Sequence, residues 1–289
     1  VKGRLLRGEL LVLAAALLWA LIGVVTRELG DLGLPAEQVG VWRALIGGAC
    51  FAAHLSVSRR VPALSSRYRS ATGSLLVFCA AGVVVFYAAL PLAVETGGIS
   101  LAWVLLYTAP VWVSIGAALF LGERVGVAGG LAVGVSVGGV VALVSSVGGT
   151  VDVTAVSVAW GLASGVSYSS YYLVGRRLFE SIGAVPTYAV TLPVGGVVLA
   201  LIVGLDAPTM AMVPWLLLLG VGCTYLPYLA FGLGIQDLPS SRAVVIATVE
   251  PVLAILIGVA VYGETLGVVG VLGGAAVLAA AITVSLRRA

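Results

Sequence analysis

The chain has 289 residues, 61% of them hydrophobic and only 9% charged. Soluble domains carry roughly 25% charged residues, so a water-facing surface of this size could not be covered and a soluble globular protein is excluded. The net charge of +3 comes from 15 Lys and Arg against 12 Asp and Glu, which gives no nucleic-acid footprint.

With about 20 apolar residues per bilayer span, the length accommodates about ten helices joined by short loops. Breaks at charges, Pro and Gly predict spans at about 8–28, 36–57, 71–94, 98–121, 125–146, 153–175, 184–204, 211–235, 240–262 and 266–286. The basic start, Lys2, Arg4 and Arg7, resembles that of a signal peptide. The apolar run from Leu10 to Val25 is too long for a usual signal core and lacks a small-residue cleavage site, so it is read as a retained span. Cys50, Cys79 and Cys223 all fall inside apolar segments, which provides neither a disulfide framework nor a zinc spacing.

If the N-terminus is cytoplasmic, the inner segments hold Lys2, Arg4, Arg7, Arg59, Arg60, Arg67, Arg69, Arg124, Arg176, Arg177, Arg242, Arg287 and Arg288. Only Arg27 lies near an outer end, and Arg43 is within a span. This asymmetry predicts both termini inside and an even number of spans.

The chain also repeats itself. Trp19 and Trp160 are 141 residues apart, as are Tyr87 and Tyr228, Pro110 and Pro251, Gly122 and Gly263, and Glu123 and Glu264. PVWVSIGAALFLGERVGVAGG (110–130) lies over PVLAILIGVAVYGETLGVVGV (251–271) without a gap. The repeat units are residues 1–146 and 147–289, with five spans each. An odd number of spans inverts the second copy, and inverted repeats build transporters whose substrate site lies where the copies meet. The fold class is therefore an all-α integral membrane protein of ten helices in two inverted five-helix repeats.

On these residues the chain resembles the drug/metabolite transporter superfamily, in its ten-helix branch with two EamA domains. The resemblance is carried by Trp19 and Trp160, by LYTAPVWVSIGAALFLGER (106–124) and by its partner ATVEPVLAILIGVAVYGE (247–264). It implies a small-metabolite exporter of a prokaryotic inner membrane, working by alternating access, with a cavity lined mainly by spans 1, 3, 4, 6, 8 and 9. Relatives handle amino acids, sugars, nucleosides and vitamins. Cavity chemistry points within the branch to aromatic-amino-acid exporters of the YddG type. Expected partners are a small-molecule substrate and the lipid bilayer, with no cofactor, no metal and no nucleic acid. Proton coupling, exchange and uncoupled transport stay open, as do a monomer and a weak homodimer.

Those six spans supply Trp19, Tyr87, Trp103, Tyr107, Trp160, Ser164, Tyr168, Tyr225 and Tyr228 as candidate cavity residues. The spacings 103/107, 164/168 and 225/228 put each pair on one helical face. Two further groups are ionisable and costly inside a membrane. Glu250 sits about ten residues, or ~15 Å, from the inner end of span 9, and Arg43 about seven residues, or ~10 Å, from the outer end of span 2. Glu250 is a candidate for a substrate ammonium or a coupling proton and Arg43 for a substrate carboxylate. Alternatively, Arg43 snorkels outward or the two pair with each other. Pro110 and Pro251 mark helix breaks, and Glu123 and Glu264, each after a glycine at a span end, are read as gate or structural residues. The four-residue glycine stripe Gly122, Gly126, Gly130, Gly134 and Gly138 is read as scaffold packing.

A membrane-embedded enzyme is the rival from another class. It lacks paired intramembrane carboxylates and metal-ligand clusters, and the single histidine, His54, lies near a span end. A small-multidrug-type antiporter would need a carboxylate within span 1, and a phosphate-ester carrier would need several buried cations where Arg43 stands alone.

Overall fold

The computed structural model describes residues 2–58, 61–97, 99–123, 126–146, 153–262 and 267–286, and among them there is helix and no strand. Helices suit an apolar solvent because each closes its backbone hydrogen bonds within its own segment. In chain order, α1 (Lys2–Ala20) and α2 (Ile22–Asp31) make the first rod and α3 (Ala36–Val57) the second. The third joins α4 (Val61–Phe78), a π-helical stretch (Cys79–Val85) and α5 (Phe86–Gly97). The fourth is α6 (Ile99–Leu106) with α7 (Ala109–Phe120), and the fifth is α8 (Val127–Ser145). The second half follows the same plan. Its sixth rod is α9 (Ala155–Ser170), a π-helical stretch (Tyr171–Gly175) and α10 (Arg176–Ser181), and its seventh is α11 (Ala184–Val203). The eighth is α12 (Val213–Leu217), a π-helical stretch (Leu218–Tyr225) and α13 (Leu226–Gly234), the ninth α14 (Ser240–Ala247) with α15 (Val249–Tyr262), and the tenth α16 (Val268–Leu286).

Eight of these rods are long and apolar enough to cross a membrane among the described residues. The tenth appears as a shorter apolar helix, Val268–Thr283. The sixth is continuous from Ala155 to Ser181, but Ser and Tyr at 164–172 dilute its apolarity. Outward side chains are apolar, Leu119, Leu131, Leu201 and Leu272 being 73, 65, 82 and 65% exposed. Such a surface is suited to lipid rather than water.

The irregularities recur at the repeat offset. The fourth rod breaks at Tyr107 and Thr108 and the ninth at Thr248, each just before its proline. Proline has no N–H, so the carbonyl four residues earlier loses its helical partner. Those carbonyls belong to Leu106 and Ala247, the last residues of α6 and α14. The π-helical stretches of the third and eighth rods also occupy matching places.

Helix packing is two-fold in pattern. α3 packs on α11 and α8 on α16, while α5 on α9 is matched by α1 on α13, and α6 on α9 by α1 on α14 and α15. Lipid tails are as apolar as leucine, so close van der Waals contact and polar bonds must hold these crossings. One such bond is Ser136 to Thr248, hydroxyl to hydroxyl at 2.6 Å. At the α8–α16 crossing a Cβ on Gly139 would meet the Gly273 carbonyl oxygen at 2.8 Å. The glycine stripe is corrected here: Gly126, Gly130, Gly134 and Gly138 face open space, and Gly139, one residue out of register, makes the contact.

Candidate functional site

Tyrosines occupy the middle of the bundle. Tyr87 on α5 and its repeat mate Tyr228 on α13 meet hydroxyl to hydroxyl at 2.8 Å. Tyr228 is 3.0 Å from the Tyr171 hydroxyl, which donates to the carbonyl of Gly82 at 2.5 Å. A tyrosine hydroxyl has one proton, so the chain has one direction: Tyr87 donates to Tyr228, Tyr228 to Tyr171, and Tyr171 to Gly82. Tyr188 on α11 stacks on Tyr228 with ring centroids 4.8 Å apart, and Trp19 on α1 meets the Tyr228 ring edge-on at 5.7 Å.

Arg43 reaches this cluster from α3. Its Nε donates to Thr224 Oγ1 at 3.1 Å, and its guanidinium carbon lies 5.1 Å from the Tyr87 ring centroid and 5.6 Å from that of Tyr228. Thr224 in turn donates to the Leu219 carbonyl within the π-helical stretch of the eighth rod. Outward snorkelling of Arg43 is thus corrected: ring faces and a hydroxyl inside the bundle replace the water it would otherwise seek.

Beside this cluster lies an acidic one. Glu250, 9% exposed, begins α15 immediately after the break at Thr248. It neighbours the buried Tyr107 hydroxyl. Trp103 stacks on Tyr107 at 5.8 Å and 19°, and Phe86 on Tyr168 at 5.4 Å and 29°. Tyr168 accepts a hydrogen bond from Tyr172 at 3.2 Å, and its ring lies 5.9 Å from that of Tyr171, joining the two clusters. Arg43 and Glu250 do not pair directly, since no N···O contact of 4.0 Å or less joins them. An ionised carboxylate at mid-bilayer costs roughly 2.5–3.5 kcal/mol on insertion scales, and among the described residues Glu250 has no ion-pair partner to offset it.

The structure therefore brings Trp19, Tyr87, Tyr228, Arg43, Trp103, Tyr107, Tyr168 and Glu250 together. Three expected cavity residues stand apart. Trp160 is 37% exposed, outside the ring cluster, because the buried side of α9 runs through Ser157, Gly161, Ser164 and Gly165. Ser164 donates to the Gly161 carbonyl of its own helix at 2.7 Å. Tyr225 turns to α3, where its hydroxyl meets His54 Nδ1 at 2.7 Å and its ring packs on Phe51.

Pro110 and Pro251 sit at the two breaks. Glu123 accepts from Arg176 Nη1 at 2.6 Å, from the Ser240 N–H at 2.8 Å and from the Ser241 hydroxyl at 2.9 Å. Gly122, at φ +67°, turns the chain after α7 so that Glu123 can do this. Glu264 and Gly263 lie outside the described residues, as do Arg59, Arg60, Arg124, Arg287 and Arg288. Sequence reasoning missed Tyr188 and Thr224. Tyr188 lies on span 7, outside the six spans that the resemblance assigns to the cavity, and Thr224 precedes Tyr225 on span 8.

The EamA-like transporter family matches residues 6–145 and 155–286 of the chain. An uncharacterized transporter of Archaeoglobus fulgidus is 28% identical over 190 residues, covering 65% of this chain and 67% of that protein. A crystal structure of a protein at 18% identity superposes with a TM-score of 0.82 over 96% of both chains, a likeness of fold alone.

Proposed function

This chain belongs to the EamA-like transporter family, and we propose that it exports small amphipathic metabolites, foremost amino acids with aromatic or other apolar side chains. It works by alternating access in a prokaryotic inner membrane, with its basic end on the cytoplasmic side. The observation that carries this reading is Glu250: a buried carboxylate without an ion-pair partner among the described residues, beside the buried Tyr107 hydroxyl and between stacked aromatic pairs. Binding sites of this kind combine apolar walls with a few placed polar groups. An ammonium group would satisfy Glu250, and an apolar side chain would lie against Trp103, Tyr107 and Phe86. Arg43 spends its Nε on Thr224, which leaves its terminal nitrogens to meet a carboxylate.

The test is the thermal shift of purified protein against amino acids, nucleosides, sugars and vitamins. Aromatic amino acids should raise the melting temperature and small hydrophilic sugars should not. If a nucleoside or vitamin stabilises the protein and no amino acid does, the cargo assignment falls.

A further inference from the structure

Charged contacts tie several rods together at one end of the bundle. At the basic end, Glu123 closes the fourth rod and receives Arg176 of the sixth and the backbone N–H and hydroxyl groups that begin the ninth. Arg176 also binds Glu180 at 3.0 Å, and Arg177 donates to the Phe120 carbonyl, so the start of α10 grips the end of α7 twice. A second pair, Arg242 with Glu9, joins the start of α14 to α1, both residues being 8% exposed. A third, Arg7 with Asp237 at 3.7 Å, joins α1 to the end of the eighth rod.

Carried across by the repeat offset of 141, Ser240 and Arg242 at the start of α14 lose their chemistry. Arg242 falls on Leu101 and Ser240 on Ile99, while Glu123 falls on Glu264. In an inverted repeat the two ends exchange roles during alternating access. Here the basic end closes with ion pairs and a capped helix start, and the residues equivalent to Ser240 and Arg242 carry neither hydroxyl nor charge.

We propose that Glu123–Arg176 and Glu9–Arg242 form the gate at the basic end, and that both pairs must part for the central site to open there. α14 is the moving element. It is eight residues long, held at its start by both pairs and ended at Thr248, the break next to Glu250. Release at its start therefore reaches the acidic cluster through one short helix. Partly buried charged hydrogen bonds of this kind are stronger than neutral ones, so this gate is closed in the cargo-free protein. The inference rests on the alternating-access reading above but not on any cargo, and its test uses none.

The experiment measures access to Ala247→Cys, a position 2% exposed at the end of α14, in protein whose three native cysteines are replaced by alanine. The protein is reconstituted in vesicles, with sidedness fixed by separate Ser70→Cys and Asp31→Cys markers, and is treated with a membrane-impermeant maleimide. Combining Arg176→Gln with Glu9→Gln should raise labelling from the basic end about tenfold, the scale on which charged hydrogen bonds bias a two-state equilibrium. Labelling from the opposite end should not rise. Arg176→Lys and the swap Glu9→Arg with Arg242→Glu restore opposite charges and should return the rate most of the way. Unchanged labelling overturns the gate. So does an equal rise from both ends, which is what general loosening or partial unfolding gives, and so does failure of both charge-restoring variants to reverse the effect.

Discussion

Tyr87 and Tyr228 stand at the same place in the two repeats, 141 residues apart, and hydrogen-bond each other at 2.8 Å. A contact between equivalent residues marks the line about which the two halves are related, and here that line runs through hydroxyls. The bond is part of a directed chain ending at Gly82, so its members are unequal. Tyr87→Phe removes one hydrogen bond, whereas Tyr228→Phe removes two. With interhelical hydrogen bonds in membranes averaging about 0.6 kcal/mol and reaching about 1.7, Tyr228→Phe should lower stability about twice as much as Tyr87→Phe. Because they share a bond, the double variant should cost less than the sum of the singles. Denaturation of the four proteins in one detergent checks this, and strict additivity would deny the coupling.

Aromatic walls imply selectivity by side-chain shape. Trp103 lies nearly parallel to Tyr107, and an aromatic pair contributes about 0.5–1.5 kcal/mol beyond burial. Trp103→Ala should therefore weaken uptake of phenylalanine into proteoliposomes by about threefold to tenfold and that of alanine much less. The same assay on Trp160→Ala should show little change for either, since Trp160 lies outside the cluster. Equal losses for both substrates in Trp103→Ala would make Trp103 a packing residue.

Glu250→Gln separates three roles. If the carboxylate carries a coupling proton, accumulation driven by a pH gradient should vanish while substrate exchange persists, because exchange moves no net proton. If it binds an ammonium, driven transport and exchange should fall together. If it serves only the helix break before Pro251, the melting temperature should fall while affinity holds. Ammonium binding at Glu250 gives the second pattern. All three quantities come from one preparation, and no change in any of them would remove Glu250 from the site.

Glycine register gives a test of packing. Gly139→Leu would drive a side chain into the Gly273 carbonyl, where a Cβ alone would stand at 2.8 Å, and should cost about 1–3 kcal/mol or more. Gly134→Leu meets open space and should be close to neutral. Thermal denaturation of the pair distinguishes an outward stripe from an internal one, and the reverse order would contradict the packing described.

The basic asymmetry predicts sidedness. In right-side-out cells an impermeant thiol reagent should label a cysteine near Asp31 and spare cysteines near Arg67 and at the C-terminus. Labelling near Arg67 from outside would invert the orientation.

Membrane class, duplication and break points are legible along one chain, because they depend on composition and spacing alone. Proline at 110 and at 251 denies a hydrogen bond to its own helix whatever surrounds it, and the constant offset of 141 needs no coordinates. Aromatic and ionisable residues within apolar spans could be singled out for the same reason: each is costly in lipid before any partner is known. Which of them meet depends on how the helices pack. α9 could turn either Trp160 or Tyr168 inward, and packing against α5 and α6 selected Tyr168. Arg43 could snorkel or bind inward, and the paired rings of Tyr87 and Tyr228 gave it an interior solvent. Arg176 and Arg242 counted in the sequence only as positive charges near a membrane face. Their partners, Glu123 and Glu9, are 53 and 233 residues away, a separation that periodicity cannot see because it reports the face of a helix and not the neighbour on it.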